Sequence, residues 1–159
     1  NDIDQDIRRS IKGSTIEWCD KDHIFRNADV ISLHLPLTHE TRNLIDRTQI
    51  CKMKPSAFLI NTSRGGIINE VDLYETMRSG HLAGAAIDVF EEEPYRGPLV
   101  TVKRCILTAH MGSMSQDCRA RMEIEATEEA VRYARGQPLK SLVPEEEYEI
   151  LKMSGFGVS

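Results

Sequence analysis

The sequence predicts an α/β fold, a parallel sheet flanked by helices, and two observations carry that prediction. Apolar runs recur at Val30 to Leu35, Ala57 to Ile60, Gly84 to Val89 and Cys105 to Leu107. They are nearly continuous rather than alternating, as strands are when helices cover both faces of a parallel sheet. The intervals between them hold helix-like stretches opened by capping residues, which gives a β-α-β-α rhythm. Composition agrees: 159 residues with 40% hydrophobic and 28% charged side chains suit one ordinary globular domain.

Each element has a local reason. A short run at Thr15 to Trp18 is expected to add a further strand ahead of the four main ones. Asp20 supplies an N-cap oxygen for a short helix ending near Asn27. Asp46 caps the next helix, and Lys54-Pro55 stops it because the residue before a proline is pushed out of the helical region. Asn69 caps Glu70 to Arg78, with Gly80 just past the end where a left-handed residue closes a helix. From Ser115 to Arg135 no Gly or Pro intervenes, and Cys118, Met122, Ala126 and Ala130 recur at i, i+4 spacing. At about 1.5 Å per residue this helix runs roughly 30 Å, enough to span a domain or bridge two. Beyond Gly136-Gln137-Pro138 the pattern turns irregular. Roughly the last dozen residues are expected to be poorly ordered, as untethered termini are.

Charge and cysteines exclude several classes of function. A net charge of -5 and a pI near 5.6 argue against nucleic acid as a partner, since phosphate backbones are held by clusters of Lys and Arg. Arg8-Arg9 reads as a solvated helix face. Cys19, Cys51, Cys105 and Cys118 form no C-x-x-C, and no His is read at ligand spacing, so neither a zinc site nor a redox dithiol is expected. Reduced thiols in a cytoplasmic protein are the default reading. No apolar run approaches the ~20 residues of a spanning helix, so no membrane partner is expected. Asn1-Asp2-Ile3-Asp4 carries no export leader, and this abrupt polar start without a Met fits a fragment of a longer protein.

The chemistry-bearing residues sit on loops. Arg64, in Asn61-Thr62-Ser63-Arg64-Gly65-Gly66, Glu93, at the end of Asp88-Val89-Phe90-Glu91-Glu92-Glu93, and His110, in Leu107-Thr108-Ala109-His110-Met111-Gly112, each follow a strand-like run. Singly, each has a plain reading as a surface ion pair, a solvated acid or a structural histidine. Together they fall at equivalent ends of three successive strands, and in a parallel sheet those ends share the edge where ligands bind. Arg64 can clamp a carboxylate through its fork of N–H donors. His110 can give or take a hydroxyl proton near neutral pH, and Glu93 can hydrogen-bond the imidazole and fix its tautomer. Proton removal from a hydroxyl beside a carboxylate points to oxidation of a 2-hydroxy acid. Glu91 and Glu92 then serve as built-in controls for Glu93.

The ordered blocks from Ala28-Asp29-Val30-Ile31-Ser32-Leu33-His34-Leu35-Pro36-Leu37-Thr38 through Met53-Lys54-Pro55, Leu59 to Gly66, Leu82 to Pro94 and Leu107 to His110 closely resemble the D-isomer-specific 2-hydroxyacid dehydrogenases, the group that includes D-3-phosphoglycerate dehydrogenase. The resemblance covers about Ala28 to Arg135. It implies a Rossmann-like, partial nucleotide-binding domain and hydride transfer between C2 of a small 2-hydroxy or 2-keto acid and NAD. By the same resemblance Arg64 binds the substrate carboxylate and carbonyl, and His110 with Glu93 forms the acid-base pair. Asp88 holds the nicotinamide carboxamide, Thr62 and Ser63 line the nicotinamide side, and Pro36, Gly112 and Ser113 stand beside the cofactor. Asp2 matches an acidic residue that binds the adenosine ribose, which favours NAD over NADP.

The departures are equally specific. The glycine-rich loop that receives a pyrophosphate is absent from these residues, and Gly155-Phe156-Gly157 does not replace it because no strand precedes it. A polypeptide limited to these residues is therefore expected to bind NAD poorly. Ala109 stands where the family often has Pro. The expected organisation is the second half of an NAD-binding domain over 1–113, an interdomain helix over 114–136 and a remnant of the substrate domain over 137–159. An exposed face on that helix would suit a homodimer. The rival readings are a catalytically silent NAD-sensing or corepressor-like protein and an inactive interaction fragment. A formate dehydrogenase would be expected to carry Gln in place of Glu93.

Overall fold

Four parallel strands, β1 (Val30–Leu33), β2 (Phe58–Asn61), β3 (Gly84–Ile87) and β4 (Cys105–Leu107), lie side by side in sequence order. They belong to a computed structural model that describes residues 1–2, 5–10 and 15–142. The register pairs Leu33 with Asn61, Asn61 with Ile87 and Ile87 with Leu107. The last residues of all four strands thus form one row, and every following loop leaves from the same edge.

The helices are α1 (Gln5–Ser10), α2 (Lys21–Asn27), α3 (Arg47–Lys52), α4 (Glu70–Arg78) and α5 (Gln116–Ala134), with 3-10 turns at Pro98–Thr101 and Met111–Ser113. Capping sets the starts of α2, α3 and α4 as expected, and Ser115 does the same for α5. Asp20 accepts from the His23 N–H, Asp46 from Thr48 and Gln49, Asn69 from Asp72 and Ser115 from Cys118. Each such cap is worth about 0.5–2 kcal/mol. Ile31, Leu33, Leu59, Ala85 and Ile87 turn to one face of the sheet and pack with Phe25, Ile50, Leu73 and Met77 from α2, α3 and α4.

Three expectations are corrected or extended. The sheet is covered on one face only among the described residues: Val30, Phe58 and Ile106 on the other are 55%, 48% and 67% exposed. The cause is topological, since crossovers of one hand between strands in sequential order deliver each connecting helix to the same side. Thr15 to Trp18 is irregular and lies outside the sheet. Glu17 interrupts it and Ile16 is more than half exposed, so it offers no continuous apolar face to bury. Third, α1 and the two 3-10 turns carry no amphipathic pattern long enough to be read in advance. The long helix forms where expected, as α5, and buries none of its side chains. No helix among the described residues is long and apolar enough to cross a membrane. The closing residues expected to be poorly ordered lie outside the described residues.

Candidate active site

Asn61, the last residue of β2, organises the first loop. It is 1% exposed; its Oδ1 accepts from the Ser63 backbone N–H at 3.1 Å and the Ser63 hydroxyl at 2.8 Å, and its Nδ2 donates to the Arg64 carbonyl at 2.9 Å. The loop is therefore shaped from beneath by one buried amide. Arg64 is exposed, and its Nη1 donates to the Ser63 carbonyl at 2.8 Å, leaving the rest of the guanidinium fork facing solvent. Asn61→Ala would leave those groups without partners, at a cost of about 1–3 kcal/mol for a buried polar group. Chemical denaturation is expected to show that loss, with Thr62→Ala on the exposed neighbour close to neutral.

Asp88, immediately after β3, organises the second. Its carbonyl accepts the His110 N–H at 2.9 Å, and its Oδ1 accepts both the Thr108 hydroxyl and the Met111 N–H. The Thr108 hydrogen bond, helped by the Met111 N–H and the His110 charge, holds the Asp88 carboxyl below the usual carboxylate range. A depressed folded-state value means that its contribution is complete above the ordinary carboxylate pKa and fades only as pH falls through the lower one. These bonds pin His110 in the left-handed region, at φ 52 and ψ 54, a conformation costing a non-glycine residue on the order of 1–3 kcal/mol. The strain is held by a charged clamp, and no hydrogen bond from the described residues engages Oδ2.

Glu93 joins the parts. Its Oε2 lies 3.1 Å from His110 Nδ1, and its Oε1 accepts the Phe90 N–H at 3.1 Å. Phe90 is itself fixed by stacking on Tyr95, with ring centroids 4.2 Å apart. On its other side Phe90 meets the Arg64 loop, and a Cβ added to Gly65 would stand 1.9 Å from the Phe90 carbonyl oxygen. Only a glycine allows this approach. The Arg64 loop, Phe90, Glu93 and His110 therefore form one continuous piece of structure.

The structure brings Glu93, His110 and Asp88 together, with Gly112 and Ser113 in the 3-10 turn that follows His110. Ser63 and Thr62 flank Arg64 on the neighbouring strand end. Pro36 lies beyond β1 on the same edge, its carbonyl accepting the Thr41 hydroxyl at 2.7 Å. Asp2 is exposed just ahead of α1, outside these loops, on a segment tied through Asn1 Nδ2 to the Cys19 carbonyl at 2.8 Å.

Two readings from sequence change here. Glu91 is not a bystander: its carboxylate pairs with Arg42 and its N–H donates to Glu70 Oε1 at 2.7 Å, which leaves Glu92 as the clean control for Glu93. And a histidine does stand at ligand spacing from a cysteine, because the first turn of α2 folds His23 back beside Cys19 and Glu17. The Cys105 thiol, which opens β4, is unreactive, as burial pushes it up to about 11. Sequence reasoning passed over Asn61, Thr108 and Gly65. Only Asn61 had a local signal, an Asn two residues ahead of a Ser that favours an Asx turn.

The comparison with known proteins decides the family. Residues 3–112 match the family described as D-isomer specific 2-hydroxyacid dehydrogenase, NAD binding domain. The chain belongs to this family. It is 39% identical over 142 residues to a glyoxylate reductase from Aeropyrum pernix, covering 88% of this chain and 42% of that protein. It is also 39% identical to a D-3-phosphoglycerate dehydrogenase from Bacillus subtilis, covering 77% and 23% of the two. Among solved structures, a glyoxylate reductase from Paecilomyes thermophila superposes with a TM-score of 0.79 at 29% identity, covering 91% of this chain and 43% of that one. The chain thus spans less than half the length of these relatives. The resemblance read from the sequence and the Rossmann-like parallel sheet both hold.

Proposed function

We propose that the intact protein is an NAD-dependent oxidoreductase of small D-2-hydroxy acids, interconverting them with their 2-keto acids at C2. The observation that carries this is the Glu93–His110 pair at 3.1 Å, held on the strand edge that also bears Arg64. With Nδ1–H donated to Glu93, Nε2 presents a lone pair outward and can take the substrate hydroxyl proton during oxidation, then return it during reduction. Glu93 positions the ring and cannot wander, since Phe90 holds its second oxygen. Arg64 binds the substrate carboxylate through the part of its fork that Ser63 does not use.

The residues fit the nicotinamide end of the cofactor. Asp88, ionised and with Oδ2 free of protein bonds among the described residues, suits a carboxamide donor, and Thr62, Ser63, Pro36, Gly112 and Ser113 border the same edge. When bound, NAD accepts or supplies the hydride exchanged at C2. Asp2 is the proposed contact to the adenosine ribose. A homodimer belongs to the same proposal, supported by the exposed Met122, Ile124, Val131 and Tyr133 of α5. So does a cytoplasmic setting, supported by four cysteines that are all free.

Assaying the intact protein with NAD and paired D and L 2-hydroxy acids tests the reading. Turnover confined to D-isomers is expected, and Arg64→Lys should raise KM far more than it lowers kcat, because a point charge cannot reproduce the fork. Equal use of both isomers, or Arg64→Lys with wild-type KM, would contradict it.

A further inference from the structure

Away from the strand-edge site, Glu17, Cys19 and His23 gather their ligand atoms within 4.8 Å of one another. Two of the three sit on a fixed frame. Cys19 immediately precedes the cap Asp20, which accepts the His23 N–H at 2.7 Å, and Asn27 Nδ2 donates to the His23 carbonyl at 2.9 Å. The Cys19 carbonyl is held by Asn1 Nδ2. Cys19 therefore stands just before the cap of α2 and His23 in the first turn of that helix, and Glu17 reaches the same point from the segment before them. No hydrogen bond or ion pair to the described residues engages the His23 imidazole.

We propose that Glu17, Cys19 and His23 bind a divalent transition-metal ion of zinc character. A thiolate and an imidazole select such ions over magnesium or calcium, which take oxygen ligands. In a tetrahedral zinc site, bonds of roughly 2.0–2.3 Å set donor atoms about 3.4–3.8 Å apart. The cluster needs a contraction of about 1 Å from that observed limit of 4.8 Å. Rotation of the exposed Glu17 and His23 side chains supplies it. The thiolate and carboxylate together balance the dication. Binding replaces the Cys19 thiol proton with the metal and releases that proton to solvent, with no change of oxidation state. Three protein donors leave the fourth position to water. The bound ion would fasten residues 17–19 to α2.

Cobalt(II) titration of the full chain, stripped of metal and reduced, tests this. One equivalent should produce a cobalt–thiolate charge-transfer band that zinc then bleaches. Cys19→Ser should abolish the band. His23→Gln and Glu17→Gln should each weaken binding by at least about tenfold, since loss even of an outer-shell partner costs roughly 10- to 100-fold. Cys51→Ser and Cys118→Ser should leave it in place. All these positions are at least partly exposed, and far-ultraviolet circular dichroism should show the variants folded. Absence of a band in the wild type, its survival in Cys19→Ser, or its loss in Cys51→Ser would overturn the assignment.

Discussion

His110→Gln in the intact protein is expected, on the proposed function, to lower turnover by roughly 100-fold or more while NAD affinity stays unchanged, since a positioned acid-base group contributes ~100- to 10,000-fold. The substitution is close in size and retains a polar terminus, but it removes the group that can hold the substrate's proton. It leaves the backbone clamp intact, because the Asp88 carbonyl bonds the residue's N–H and the Asp88 carboxylate bonds Met111 and Thr108 rather than the imidazole. Steady-state kinetics beside calorimetric NAD binding would separate the two effects. Unchanged turnover at neutral pH would remove His110 from the chemistry.

Gly65→Ala is expected to damage stability and activity together. The added methyl would stand 1.9 Å from the Phe90 carbonyl oxygen and 2.6 Å from the Glu91 nitrogen, all backbone, so no rotamer change relieves the clash. The Arg64 loop and the Phe90 segment must part, at a cost of about 1–3 kcal/mol, as overpacking brings. Phe90 also holds Glu93 by its N–H, so the separation propagates to the histidine's partner. A displacement near 1 Å can cost on the order of 100-fold in rate, which sets the scale expected for kcat/KM. Gly112→Ala, with nothing within 4 Å of the added carbon, is the stability control and should stay within about 0.5 kcal/mol. Equal stability of Gly65→Ala and the wild type in chemical denaturation would show that the loops do not meet as described.

Local chemistry made much of this legible. Asp20, Asp46, Asn69 and Ser115 start their helices because a cap is a contact between residues two or three apart, and apolar continuity marked all four strands. Strand ends in turn located Arg64, Glu93 and His110, because parallel register brings all the following loops to one edge. What sequence could not reveal was non-local or conformational. The open sheet face follows from which side the crossovers take. The left-handed backbone of His110 is imposed by Asp88, 22 positions before it in the chain. The meeting of Gly65 with Phe90 joins two loops that nothing in either announces. Cys19 and His23 were local and were still missed, since their spacing acquires meaning only once Asp20 begins a helix between them.

The central claim is that Glu93 acts through His110, and a double-mutant cycle on kcat measures that coupling directly. Glu93→Gln should lower kcat by about 10-fold or more when His110 is present and change it by less than about twofold in a His110→Gln background, because residues acting as a unit are non-additive. Glu92→Gln should be neutral in both backgrounds. Additive losses from Glu93→Gln and His110→Gln, or a Glu92→Gln effect equal to that of Glu93→Gln, would contradict the account.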